Sequence, residues 1–158
     1  MWYFNNQYIS IMKILCIQNN LDGIYPEFGS DEISIPNHDV TIVHNKADAL
    51  LMLRDGAIDI ILCDLNFPAD NQDQSTSPYG ALFCLWQEIP EYRVLYKVKA
   101  IGILAPQYIT QTFQYAIPDD ELVCITTNNC ITPTGHRDWV RLFKMIRFRL
   151  KRAGIKIR

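Results

Sequence analysis

Short apolar runs recur along the chain and are separated by longer, more polar stretches. The runs are rich in isoleucine, leucine and valine, and they show little alternation with polar residues. Such runs are typical of strands that are buried on both faces of a parallel sheet. The pattern predicts strands at residues 13–17, 40–43, 58–62, 100–104 and 122–126.

Apolar residues at helical spacing between these runs predict covering helices. The first helix is expected over 47–54, because Asn45 is a good N-cap residue and Gly56 is a typical C-terminal stop. A second helix is expected over 77–88, and 107–116 is a third candidate. Strands that alternate with helices indicate an α/β fold of three layers, with a doubly wound, five-stranded parallel sheet.

The last predicted helix, 136–152, has one apolar stripe and an otherwise basic surface. The stripe consists of Trp139, Leu142, Phe143, Ile146 and Leu150, and it is interpreted as a core-facing surface. The basic residues include Arg141, Lys144 and Arg147. They predict either a solvated helix face or a docking surface for nucleic acid, an acidic protein or lipid.

Length and composition indicate a single domain over residues 13–152. Residues 1–12 read as an N-terminal extension, and 153–158 as a basic C-terminal tail. The five cysteines have no regular spacing, so a disulfide framework is not expected and a cytoplasmic location is predicted. No apolar run approaches the length of a membrane span, and the irregular segments 21–39 and 69–77 have no assigned role.

Asp64 is the most conspicuous polar residue of the pattern, since it closes the apolar run Ile60-Ile61-Leu62-Cys63. The carboxyl ends of parallel strands form the crevice in which such folds place their sites. Asp64 is therefore either a chemical group at that crevice or a polar residue that caps a strand end. The histidines are scattered and no nucleotide-binding or hydrolase motif is present, so the chain is not expected to be an enzyme.

Two stretches, MKILCIQNN and NKADALLMLRDGAIDIILCDLNFP, resemble the receiver domains of response regulators. The resemblance implies a flavodoxin-like sheet of order 2-1-3-4-5 and gives Asp64 the phosphoacceptor position. It gives the acidic pocket to Gln18 and Asn19, with Asn20 and Asn66 beside them. The family has a hydroxyl residue and a lysine at two switch positions. The resemblance gives the first to Ala105, or to Leu104 with a one-residue slip, and the second to the stretch from Cys124 to Thr126.

All of these companions of Asp64 are neutral, so the resemblance is to a degenerate receiver, or pseudo-receiver. Mg²⁺ is held mainly by carboxylates, and amides bring no charge. No cofactor is expected, although a weak Mg²⁺ site at Asp64 stays open. The first hypothesis is a signalling module in a two-component setting that acts through protein–protein interaction without phosphorylation.

Two alternatives stay open beside it. One is a phosphorylatable single-domain response regulator in a phosphorelay. The other is a binder of nucleic acid or acidic surfaces through the basic C-terminal helix. For the first hypothesis the expected partner is a signalling protein, and a homodimer is open. The candidate interaction surface consists of Tyr108, Phe113, Tyr115, Arg141, Lys144 and Arg147.

Overall fold

The computed structural model describes residues 11–18, 35–64, 93–104, 122–126 and 138–155. Within them, five strands form one sheet in the order β2-β1-β3-β4-β5, and every neighbouring pair is parallel. This is the flavodoxin-like order that the resemblance implied. The strands are β1 (Lys13–Ile17), β2 (Asp39–Val43), β3 (Ile60–Asp64), β4 (Ala100–Leu104) and β5 (Val123–Thr126).

Helix α1 (Lys46–Asp55) covers one face of the sheet. Asn45 caps it, because its side-chain Oδ1 accepts the backbone N–H of Asp48 at 2.8 Å. At the other end, the N–H of Gly56 donates to the carbonyl of Met52 at 2.8 Å. The predicted cap and stop are thus confirmed, and Ala49 and Leu53 of this helix pack into the core on its side of the sheet.

Helix α2 (Trp139–Arg152) covers the opposite face. Its predicted stripe is confirmed as a core surface, since all five of its residues are buried against the sheet. The helix begins after Asp138, whose side-chain Oδ1 accepts the N–H of Arg141 at 3.0 Å. It ends where Gly154 takes a positive φ of 73° and the N–H of Ile155 reaches the carbonyl of Leu150, a Schellman-type ending.

The third strand differs from its predicted bounds of 58–62. It runs from Ile60 to Asp64, so that Asp64 is the last residue of the strand instead of part of the following loop. The reason is that strand pairing uses backbone groups and does not require an apolar side chain. The backbone ladder to β4 continues through the pair Asp64–Leu104.

Several predicted features lie outside the described residues. They are the helices over 77–88 and 107–116, residues 21–34 and 69–77 of the two irregular segments, residues 1–10 of the extension, His136 at the expected start of the last helix, and 156–158 of the tail. None of the described helices combines the length and the apolar character that a bilayer span requires.

Candidate functional site

Asp64 and Gln18 are brought to the same level at the carboxyl edge of the sheet. Asp64 ends the central strand β3, and its neighbour in β4 is Leu104. The parallel register pairs Ile17 with Cys63, so the next residues, Gln18 and Asp64, follow side by side. Both are buried, with 6% and 5% of their surface exposed. Gln18 and Asp64 therefore follow the ends of the same strand ladder, and both are largely shielded from water.

Gln18 is fixed in place by the strand on its other side. Its N–H donates to the carbonyl of Val43 at 2.9 Å, and its own carbonyl lies 2.8 Å from Nδ1 of His44. Since a carbonyl can only accept, Nδ1 of His44 carries the hydrogen in this contact. Neither Gln18 nor Asp64 is without an interaction partner. The residue that follows β1 is thus anchored to the end of β2 and to the residue after it.

Asn45 is the third buried polar residue near this edge, and its role is structural. Its Oδ1 caps α1, and its Nδ2 donates to Oδ2 of Asp48 at 2.9 Å. Both ends of the amide are therefore used by the first turn of the helix. Asn45 fits a capping residue and not a ligand-binding group.

The described residues do not fit a strong Mg²⁺ site. They contain no group of three or more His, Cys, Asp or Glu side chains that could hold a metal ion. The residue beside Asp64 is Gln18, which offers an oxygen without charge. Asn19, Asn20 and Asn66, the other predicted pocket residues, lie outside the described residues, and all three are amides in the sequence. The donor set therefore favours at most weak binding of a cation that demands charge and octahedral geometry.

The cysteines near this site are neutral thiols. Burial, and to a smaller extent the charge of Asp64, raise the pKa of Cys63 far above its ordinary value. Burial also raises the pKa of Cys124, although the charge of Arg149 opposes this effect. Since the thiolate is the reactive form, neither residue is an activated nucleophile. Both serve as small apolar side chains in the two core layers.

The predicted switch positions are only partly described. Ala105 lies outside the described residues. Cys124 is buried and pairs with Gly102, two residues before the carboxyl edge. The β5 residue whose backbone is level with Asp64 and Leu104 is Thr126. No lysine occurs anywhere between Lys99 and Lys144, so this edge has no lysine near the end of β5.

The basic part of the predicted interaction surface lies on the outside of α2. Arg141, Lys144 and Arg147 are all exposed. Tyr108, Phe113 and Tyr115 lie outside the described residues. A further exposed residue of the helix is Phe148, which directly follows Arg147 in the sequence and has 65% of its surface exposed.

Sequence reasoning missed two structural roles of polar residues at the opposite, amino edge. Asp59, one residue before β3, accepts the N–H of Lys13 and pairs with the ammonium of Lys99. Nδ1 of His38 accepts the N–H of Met12 at 3.1 Å, and its ring lies 4.9 Å from that of Phe143. The partners are distant in the chain, so no local pattern signals these contacts.

Comparison with known proteins shows that this chain is similar to others in its fold. No protein-family model matches the chain, and no curated protein sequence matches it. Solved structures do match over nearly the whole length. The phosphorylated cyanobacterial phytochrome response regulator RcpA is 16% identical, with a TM-score of 0.53, and the match covers 94% of this chain and 98% of that one.

Two further solved structures are receiver domains. The signal receiver domain of an HD domain-containing protein from Pseudomonas fluorescens Pf-5 is 13% identical, has a TM-score of 0.55 and is matched over 92% of this chain and 99% of its own. The receiver domain of the Francisella response regulator 1452 is 15% identical, with a TM-score of 0.51 and coverages of 90% and 98%. Together with the sheet order, these matches show that the chain has the fold of a response-regulator receiver domain.

Proposed function

We propose that the chain is a receiver-like signalling module that acts through protein–protein contacts, without phosphoryl transfer to Asp64. The observation that carries this proposal is the buried pair at the carboxyl edge of the sheet. Gln18, a neutral residue, stands beside Asp64 where the receiver resemblance calls for an acid.

The physical reason is the charge that phosphoryl transfer to a carboxylate requires. An anionic nucleophile and an anionic phosphoryl group repel each other unless a divalent cation neutralises them. Mg²⁺ gives up its water reluctantly, so it needs carboxylate ligands to hold it. Gln18 supplies none, but an amide can donate a hydrogen bond to a carboxylate. Gln18 and Asp64 can therefore stabilise the carboxyl edge of the sheet without a bound metal ion.

Intact mass spectrometry after incubation with acetyl phosphate and Mg²⁺ tests this proposal. The expected result is an unchanged mass for both the wild type and Asp64→Asn. A phosphate adduct on the wild type that is absent from Asp64→Asn would contradict the proposal. Such an adduct would establish the alternative of a phosphorylatable response regulator.

That alternative rests on a specific observation. Asp64 stands at the end of the central strand of a receiver-type sheet, in the position that the resemblance assigns to the phosphoacceptor. A weak cation site at Asp64 would then suffice at high Mg²⁺ concentration. Repeating the labelling over a range of Mg²⁺ concentrations separates weak chemistry from none.

The proposed module needs a partner, and the exposed cations of α2 belong to the proposed contact surface. Tyr108, Phe113 and Tyr115 stay sequence-based candidates for the rest of it. A homodimer is tested by size-exclusion chromatography with light scattering. We infer a reducing, cytoplasmic setting, because the five cysteines of the sequence lack the regular spacing of a disulfide framework.

A further inference from the structure

Phe148 lies on the outer face of α2. Successive helical residues are rotated by about 100°, so Phe148 points away from the stripe that ends at Leu150 and includes Trp139. That stripe already fills the core beneath the helix. Phe148 is 65% exposed, so its ring contributes little to the fold. An aromatic side chain in this position is available for contact with another molecule.

The ring lies in an open groove of about 440 Å³. Its lining residues within the described ranges are Arg141, Lys144, Met145, Phe148, Arg149 and Arg152, and it is called the Phe148 groove below. Arg141 and Lys144 are exposed at one part of its rim. Met145 is partly buried and packs against the core cluster beneath the helix. Among these residues, Phe148 and Met145 are the apolar pair, called the centre of the groove below, and the four cations are called its border.

The charge of the helix decides what can occupy this groove. Every charged residue from Trp139 to Arg158 is basic. A symmetric pair of two copies through this face would bring the same cations together, because such an interface contacts itself. Like charges opposed in this way disfavour association. A symmetric dimer through this face is therefore disfavoured, and the complementary occupant is an anionic molecule.

The apolar centre favours a protein over a nucleic acid. Among the aromatic residues of α2, only Phe148 is exposed, since Trp139 and Phe143 are buried. Stacking along a single strand uses several aromatic side chains in succession. One apolar anchor surrounded by charge is instead the usual arrangement of a protein–protein hot spot. In such a site the centre contributes most of the affinity, and the charged border mainly affects the association rate.

We propose that the Phe148 groove docks an acidic protein segment that carries an apolar side chain. The apolar side chain packs on Phe148 and Met145, and the flanking carboxylates pair with Arg141 and Lys144. This inference rests on the proposed function, and it adds the chemistry of the partner and the place where the partner binds.

Fluorescence anisotropy with the full chain tests the docking. The probes are a labelled short peptide of glutamates that flank a central leucine pair, the same peptide with the leucines changed to serine, and a labelled oligothymidylate of equal charge. We expect the leucine peptide to bind the most tightly, with an affinity that falls as salt rises. Phe148→Ala is expected to weaken this binding about tenfold, which corresponds to about 1.4 kcal/mol. Phe148→Leu keeps an apolar side chain and is expected to bind more tightly than Phe148→Ala.

Charge reversal tests the border of the groove. Lys144→Glu is expected to weaken both peptides and to reduce their salt dependence. Matched controls lie on α1, on the other face of the sheet. Leu51→Ala removes an exposed apolar side chain there, and Arg54→Glu reverses an exposed charge. Neither control is expected to change peptide binding.

Three outcomes would overturn the inference. They are no binding of the leucine peptide, equal binding of the leucine and serine peptides, and oligothymidylate binding that is tighter than peptide binding and insensitive to Phe148→Ala. Far-UV circular dichroism of each variant verifies that α2 stays folded. The phosphate-labelling experiment has a separate readout, so labelling at Asp64 would contradict the proposed function without affecting the peptide result.

Discussion

Asp59 and Lys99 form a salt bridge of 3.1 Å between Oδ1 and Nζ at the amino edge of the sheet. The other carboxylate oxygen of Asp59 accepts the backbone N–H of Lys13 at 2.9 Å. One carboxylate thus joins the starts of β1, β3 and β4. Asp64 ends the same strand at the carboxyl edge and is buried there. The two aspartates that flank one apolar run thus lie at opposite edges of the sheet.

Removing the amino-edge carboxylate should destabilise the fold more than removing its cation. Asp59→Ala removes both the acceptor of the Lys13 N–H and the partner of the Lys99 ammonium, at an expected combined cost of about 1 to 2 kcal/mol. Lys99→Ala removes only a partly exposed ion pair, which is worth about 0 to 1 kcal/mol. Urea unfolding curves of the two variants measure the difference. Equal costs would mean that the hydrogen bond to Lys13 contributes nothing.

Placing an acid at Gln18 tests whether the carboxyl edge depends on a neutral residue there. Gln18→Glu keeps the size of the side chain but adds a buried negative charge beside Asp64. In the absence of divalent cations we expect a loss of about 1 to 3 kcal/mol in the free energy of unfolding. Added Mg²⁺ should recover part of the loss, because two carboxylates form a better cation site than one.

The double variant Gln18→Glu/Asp64→Asn is the control for that experiment. It leaves one carboxylate and one amide at the edge with their positions exchanged. Its stability should lie closer to that of the wild type, and Mg²⁺ should have little effect on it. If the double variant is as unstable as Gln18→Glu alone, repulsion between the two carboxylates is not the cause.

Gly102 is required by the close packing of α2 on the sheet. A Cβ atom at this position would lie 3.1 Å from Leu142 Cγ, 3.1 Å from Leu62 Cδ2 and 3.2 Å from Ile146 Cγ1. Gly102→Ala should therefore cost about 1 to 3 kcal/mol through overpacking. The double variant with Leu142→Ala should lose less than the sum of the two single variants, because the second change makes room for the first.

Gly154 provides a contrasting glycine for the same measurement. A Cβ atom there would meet nothing within 4 Å, but the residue has a φ of 73°. Gly154→Ala should cost about 1 to 2 kcal/mol through backbone strain alone. No second substitution in the core should relieve this cost, so a strong coupling of Gly154→Ala to Leu142→Ala would contradict the assignment.

The pH dependence of stability should contain a contribution from His38. Burial, and then the charge of Arg147, lower the pKa of its imidazole below 6.5. The folded protein therefore binds this proton less readily than the unfolded chain does. The stabilising contribution is complete above pH 6.5, and it is lost as the pH falls from 6.5 through the lower pKa of the folded state. Protonation also removes the acceptor of the Met12 N–H.

Unfolding curves at about pH 7.5 and about pH 5.5 measure this contribution by linkage. His38→Asn places a side-chain oxygen near the former Nδ1 and cannot titrate in this range. Its stability should fall less between the two pH values than that of the wild type. An identical fall in the two proteins would show that His38 does not contribute.

Local patterns along the chain were sufficient for the elements and for the core surface of α2. The apolar residues from Trp139 to Leu150 recur at helical spacing, so they form one face of the helix, which is stabilised by packing against the sheet. Asn45 and Gly56 act on the backbone of their own helix, so their roles are also visible in the sequence. The end of β3 was misjudged because backbone pairing continued past the last apolar residue to Asp64.

The sequence by itself determined approximately where the described strands and helices lie, and that neutral residues occupy the positions expected for the companions of Asp64. Only the tertiary structure decided that Asp59 joins three strands and that His38 packs on Phe143. These contacts join residues that are far apart in the chain. They depend on the register of strand pairing and on the position at which α2 packs on the sheet. Neither of these produces a periodic pattern in the sequence.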